Sequence, residues 1–323
     1  GGDGAYCFFD NNDAILLTST YYNAWYQFNM QTNEFGYENN NSGVFINPAD
    51  YDSENNTLYA NKIRFNGGQN NRIIKIEEDF DVSTIQLSTN TNVYFSSLKI
   101  SPYHNNNQRN LFLGTHSGRL YKINNIGDSN TVNEITSNNF PTANVSSIDI
   151  GENENEILVT FSNYGVSSVW YSHDGGSSWN EKESNLPDMP IRWGIIHPDN
   201  NNYVLLATEI GVWETANFQN SIPNWIPSGN GLGNVRVDML AIRSDNMVVA
   251  ASHGRGLFYG IFEAQATLMG DLNSDSDINI LDVIIMVNLI LDQGAYVDIA
   301  DLNAVSSSST LLVRVCALVN DGV

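Results

Sequence analysis

An all-β fold of small repeated sheets, followed by a short helical module, is what this sequence predicts. Three observations lead there. A short apolar strand recurs at intervals of roughly 45 residues. Each copy is set off by turns rich in Asn, Asp and Gly. Near the carboxyl end, an oxygen-rich loop runs directly into a long apolar stretch.

The repeat comes first. LFLGT (111–115) leads to Gly118 and Tyr121, and ILVTFS (157–162) leads to Gly165 and Trp170. VLLAT (204–208) leads to Gly211 and Trp213, and VVAAS (248–252) leads to Gly254, Gly256 and Phe258. Earlier copies are LLT (16–18) and LYA (58–60). The steps from Thr18 to Ala60, Thr115, Ser162, Thr208 and Ser252 are 42, 55, 47, 46 and 44 residues, and the long one holds Gly67 and Gly68. The preceding strand recurs as SLKI (97–100), SIDI (147–150), WGII (193–196) and DMLAI (238–242), with YCFF (6–9) and VFI (44–46) placed in the same slot. Short strands with frequent turns argue for an all-β chain. Four strands per unit at this period is the pattern of β-propeller blades, which cover one another's faces. A β-propeller of about six visible blades, incomplete as a ring, is therefore expected in 1–262. A linker is expected at 263–269 and a small α-helical calcium-binding module at 270–323.

Composition narrows the partners. The 14 Lys+Arg against 36 Asp+Glu give a formal charge of −22. Such a chain repels phosphate backbones, so nucleic acid is not expected as a partner. No apolar run is long enough to predict a membrane-spanning helix. Cys7 and Cys316 are the two cysteines, so the fold must rest on its core. The chain starts at Gly1 without Met or a signal peptide, which leads to the expectation of a fragment or a mature product.

Residues 172–179 read SHDGGSSW, with Ser172, Asp174, Gly176 and Trp179 in the spacing S-x-D-x-G-x-x-W. In a hairpin turn Asp accepts backbone N–H groups, Gly permits positive φ, and Trp packs back on the strands. The motif resembles the Asp-box (BNR repeat) of sialidase-type and sortilin-type propellers. There it marks structure at the blade periphery, so a structural role is expected for these four residues. Trp213, Thr215 and Trp225 resemble a degenerate copy. The wider pattern over 1–262 is similar to sortilin-like and xyloglucanase-like repeat proteins, which implies an extracellular or cell-surface location.

Residues 270–291 read GDLNSDSDINILDVIIMVNLIL. Asp271, Asn273, Asp275, Asn279 and Asp282 occupy loop positions 1, 3, 5, 9 and 12, and Asp277 lies at position 7. Hard oxygen donors at that spacing suit one Ca²⁺, and the carboxylates would repel one another without it. The segment resembles the first half of a type I dockerin, with Ser276 departing from the usual Gly. A second half begins at Asp301 and Asn303 but lacks the later carboxylates, so a degenerate or frameshifted repeat is expected. The resemblance implies a cohesin-like protein partner, with Ile280 and Leu281 at the contact positions. The same two residues could instead face the second half of the module.

No HExxH, GxSxG or P-loop occurs. Glycosidases need two facing carboxylates, and Asp3, Glu209 and Asp238 are the candidates near strand ends. Arg192, Arg236 and Arg255 are the arginines that could converge on an anionic sugar. Tyr21, Tyr22, Tyr26, Trp193, Trp213 and Trp225 could stack on sugar rings or fill the core. The leading expectation is a calcium-binding, secreted propeller that binds or scaffolds in extracellular polysaccharide processing. Its rivals are a glycoside hydrolase and a sortilin-like peptide binder.

Overall fold

The computed structural model describes residues 4–10, 14–64, 71–78, 80–88, 94–105, 108–126, 130–228, 231–263, 272 and 279–291. The chain separates into two units, Gly1–Phe262 and Glu263–Val323.

The first unit is a six-bladed β-propeller. Its blades are antiparallel meanders in chain order. Blade one holds β1 (Cys7–Phe9), β2 (Ile15–Ser19), β3 (Ala24–Asn29) and β4 (Phe35–Asn39). Blade two holds β5 (Ala49–Asp52), β6 (Thr57–Asn61), β7 (Arg72–Ile76) and β8 (Val82–Gln86). Blade three holds β9 (Phe95–Asn105), β10 (Gln108–Thr115), β11 (Leu120–Asn124) and β12 (Thr131–Glu134). Blade four holds β13 (Val145–Ile150), β14 (Ile157–Phe161), β15 (Val169–Ser172) and β16 (Asn180–Glu181). Blade five holds β17 (Ile191–His197), β18 (Asn200–Thr208), β19 (Gly211–Thr215) and β20 (Ile226–Ser228). Blade six has three strands, β21 (Val237–Ile242), β22 (Met247–Ser252) and β23 (Gly256–Ile261).

Every repeat copy read from the sequence is the second strand of a blade. In blades two to five those strands are covered on both faces, so they read as near-continuous apolar runs and not as alternation. ILVTF of β14 is buried at all five positions. The outer strands alternate or are exposed, as FGYEN of β4 is. Asn at positive φ closes several turns, at Asn33, Asn56, Asn125 and Asn246, which accounts for much of the Asn richness.

One assignment differs. Residues 44–46 (VFI) are not the inner strand of blade two; that strand is Ala49–Asp52. The side-chain carbonyl of Asn47 accepts the N–H of Val44 at 2.9 Å, and Gly43 turns the chain at φ +74°, so VFI is held as a loop. Its apolar composition imitates a strand without being one.

Five apolar clusters each fill one boundary between consecutive blades. One joins Trp25 to Leu58 and Ile74 between blades one and two. The next joins Ile73 to Leu98 and Tyr121, and a third joins Phe112 and Leu120 to Ile148 and Trp170. A fourth joins Tyr171 to Leu206 and Trp225, and the last joins Val212 to Leu240 and Phe262. Full burial of each such aliphatic side chain contributes about 1.5–3 kcal/mol. Polar side chains also tie the inner strands. Asp50 Oδ2 accepts the Ile100 N–H at 2.7 Å, and Asp149 Oδ2 accepts the Ile196 N–H at 2.9 Å.

The second unit contains α1 (Ile280–Leu291). Asn279 is its N-cap: its Oδ1 accepts the Leu281 N–H at 2.9 Å, and Asp282 Oδ2 accepts the Asn279 N–H at 2.8 Å. This reciprocal pair is a capping box.

Candidate ligand-binding face

In a meander, the loop between the second and third strands lies at the same end of the blade as the loop leading in from the previous blade. That end collects Glu209, Asp238, Arg192, Arg236, Arg255, Tyr21 and Tyr22.

Glu209 sits in the β18–β19 turn and Arg192 near the start of β17. Glu209 Oε2 accepts from Arg192 Nε at 3.1 Å and from its terminal nitrogen at 2.7 Å. One blade on, Asp238 Oδ1 accepts from Arg236 Nε at 2.6 Å, and Asp238 Oδ2 lies 3.4 Å from His253 Nδ1. Arg255 donates to the Leu232 carbonyl at 3.0 Å. Both candidate acids are thus engaged by an arginine of their own blade, and the three arginines are each committed locally. Both carboxylates are partly open to solvent, so each ion pair contributes at most about 1 kcal/mol. Asp3 lies outside the described residues.

The aromatic arrangement at this end was only partly legible. Tyr21 and Phe45 stack with planes 4° apart and centroids 5.8 Å apart. They are 42% and 45% exposed, and Ile46 beside them is 47% exposed. Tyr22 stands edge-on to both rings. The Arg64 guanidinium lies 5.0 Å from the Tyr22 centroid and donates to the carbonyl and side-chain oxygens of Asn41, both at 2.6 Å. Tyr22 and Asn23 both have positive φ, at 57° and 58°. Such a conformation is costly for an aromatic residue and persists only where the surroundings impose it. Those surroundings are buried amides. Asn47 Nδ2 donates to Asn23 Oδ1 at 2.6 Å, Asn61 Nδ2 donates to Asn47 Oδ1 at 3.0 Å, and Asn23 Nδ2 donates to Ser42 Oγ at 3.0 Å. Of the other aromatics, Trp225 is core, and its Nε1 donates to the Lys182 carbonyl at 2.8 Å.

The sequence reading missed a charged row on the inner strands. Lys99 Nζ lies 3.0 Å from Asp149 Oδ1. Burial alone would lower the Lys99 pKa, but the charges of Asp149 and Asp50 outweigh it and hold it raised. Burial raises the Asp50 pKa against the pull of Lys99 and of the N–H groups of Ile100 and Tyr51. The signal was present: Lys99 and Asp149 occupy one slot, the third residue of SLKI and SIDI. Asp50 was hidden by the misplaced strand at 44–46.

At the opposite end, the β15–β16 turn is built by Ser172, Asp174, Gly176 and Trp179. Ser172 Oγ donates to Asp174 Oδ1 at 2.9 Å and accepts the Gly176 N–H at 2.8 Å. Asp174 also accepts the Ser178 N–H at 2.8 Å and its hydroxyl at 2.6 Å. The Ser178 hydroxyl leads in holding the Asp174 carboxyl down at about 2. Trp179 Nε1 donates across the blade boundary to the Ile135 carbonyl at 2.9 Å. In blade five, Thr215 Oγ1 donates to Asn217 Oδ1 at 2.8 Å, repeating the Ser172–Asp174 bond with an amide.

In the second unit, Asp271, Asn273, Asp275 and Asp277 lie outside the described residues. Asn279 and Asp282 are described. Asp282 is 1% exposed, and its Oδ1 accepts the Leu272 N–H at 2.7 Å, so the start and the end of the loop meet at this carboxylate.

No protein-family model matches the chain, and no curated protein matches it. Among solved structures, it is similar to the GH74 xyloglucanase from Xanthomonas campestris, with 13% identity and a TM-score of 0.59. The match covers 81% of this chain and 44% of that one, so the chain spans less than half the length of that enzyme. The likeness is one of fold. No helix among the described residues is long and apolar enough to cross a membrane.

Proposed function

We propose that this chain is a secreted, modular propeller that binds polysaccharide through the loop face of its first two blades. The exposed, parallel ring pair Tyr21–Phe45 carries the reading. Two solvent-facing rings held by a strained backbone and a buried amide network form a rigid platform, and the C–H face of a pyranose stacks on such rings. The fold likeness to a xyloglucanase supports a polysaccharide as the ligand class. Glu209 and Asp238 are each hydrogen-bonded by an arginine of their own blade, which occupies the oxygens a hydrolase would turn to its substrate and favours binding over hydrolysis.

The 270–291 loop is proposed to hold one Ca²⁺ through Asp271, Asn273, Asp275, Asn279 and Asp282, with the Asp277 carbonyl at position 7. The buried Asp282 carboxylate, at the point where the start and the end of the loop meet, is a hard oxygen donor of the kind Ca²⁺ takes. Ile280 and Leu281, 67% and 52% exposed, fit a protein partner of the cohesin type.

Affinity electrophoresis in gels containing xyloglucan tests the binding role. Retardation is expected for the chain and is expected to disappear in Tyr21→Ala and Phe45→Ala at unchanged melting temperature. Equal migration with and without a panel of neutral glycans, or robust release of reducing sugar, overturns the proposal.

A further inference from the structure

Within each blade that has a successor, one residue at or near the start of the third strand points at the following blade. Ile73, Leu120, Val169 and Val212 hold this place in blades two to five, with exposures of 0%, 0%, 0% and 8%. Each lies in a cluster shared with the next blade. Leu257 is the counterpart in blade six. It pairs with Ala251 as Val212 pairs with Ala207. Yet Leu257 is 72% exposed, and on the same side of β23 Tyr259 is 79% and Ile261 55% exposed.

Blade one has the complementary feature. Phe8 and Trp25 pack toward blade two. The opposite side of the sheet carries Phe9, Phe35 and Tyr37, which are 54%, 65% and 47% exposed. Tyr26 lies between the last two, with ring centroids 6.0 Å from Phe35 and 4.7 Å from Tyr37. Cys7, a free and exposed thiol, shares this side. The series of blades therefore ends in two open apolar sheet faces. One is of the kind that looks to a following blade and the other of the kind that looks to a preceding one.

We infer that these faces flank a sector that receives one further four-stranded antiparallel sheet, apolar on both sides. It would pack on Leu257, Tyr259 and Ile261 with one face and on Phe9, Phe35 and Tyr37 with the other. The five existing boundaries say what covers such a face: in every case it is another blade. Direct packing of blade six on blade one would bury the six residues, and their exposures exclude it.

The sector width is the test. In the full chain with Cys7→Ser and Cys316→Ser, spin labels are placed at Phe28→Cys on β3 and Leu257→Cys on β23. A separation near 20 Å is expected, because packed sheets lie about 10 Å apart and one sheet must fit between. A separation near 10 Å overturns the inference, as does one near 30 Å, which fits two sheets. Dipolar coupling that grows with protein concentration assigns the faces to a second copy and overturns it as well. Carbene footprinting of the unsubstituted chain gives an independent reading: heavy labelling of Tyr259 and Phe35 is expected, and protection of both refutes the open sector.

Discussion

Arg109 Nε lies 3.1 Å from Asp52 Oδ2, and both side chains are almost fully withdrawn from solvent at the seam between the second and third blades. The same guanidinium donates to the carbonyls of Ser101 and Pro102 at 3.2 and 3.1 Å and reaches Glu54 at 2.6 Å. One side chain thereby satisfies two carbonyls of its own blade and two acids of the neighbouring blade together.

Removing one partner of such a pair strands a buried charge. Arg109→Met is expected to destabilise the first unit by about 3–5 kcal/mol. Arg109→Met combined with Asp52→Leu is expected to recover part of the loss. Urea unfolding of the two variants checks this. An Arg109→Met loss under 1 kcal/mol would show that the pair carries no such load.

The Asp174 carboxyl sits at about 2 in the folded chain, well below the ordinary value of about 3.9. A depressed acid stabilises the fold above its unfolded pKa and loses that contribution as pH falls through the folded value. The melting-temperature difference between the parent chain and Asp174→Asn should be largest above pH 4 and should shrink between pH 4 and pH 2. A difference independent of pH would rule out an ionised Asp174 as the source.

Gly176 has φ +90°, and a Cβ there would come within 2.8 Å of the Ile135 side chain. Gly176→Ala is expected to cost about 1–3 kcal/mol from conformation and crowding together. Gly165, at φ +71° with open space around it, isolates the conformational part. Gly165→Ala should therefore cost less, and thermal melts of the two variants would rank them. Equal losses would mean that the Ile135 contact adds nothing.

For the second unit, calcium added to the full chain is expected to release heat and to raise the helical circular dichroism signal. Asp282→Ala should abolish both responses, because the residue closes the loop and caps α1. Asn279→Ser keeps a capping oxygen and should bind calcium more weakly at similar helicity. A calorimetric trace indistinguishable from buffer would end the calcium assignment.

Much of the fold could be read from the chain because the second strands of blades two to five are covered on both sides. LFLGT, ILVTFS, VLLAT and VVAAS stay apolar at nearly every position, so their period survives without alignment. The failure at 44–46 has a definite cause. Phe45 and Ile46 are apolar yet solvent-facing, and composition alone cannot tell a displayed ring from a buried one. The local hint was Asn47-Pro48, which reads as a turn before the true strand begins at Ala49. The charged row was missed for the opposite reason. Lys99 and Asp149 sit inside otherwise apolar strands, SLKI and SIDI, where the hydrophobic neighbours dominate the pattern. Pairing between blades, as between Arg109 and Asp52, depends on contacts 57 residues apart that no local pattern records.

Because each blade is a meander of consecutive residues, its main contacts are with the sheets just before and after it in the chain. Cooperative opening in such an array starts where a neighbour is lacking. Amide exchange should be quickest in β1–β4 and β21–β23 and slowest in β10, β14 and β18, so that protection rises and falls along the polypeptide like an arch.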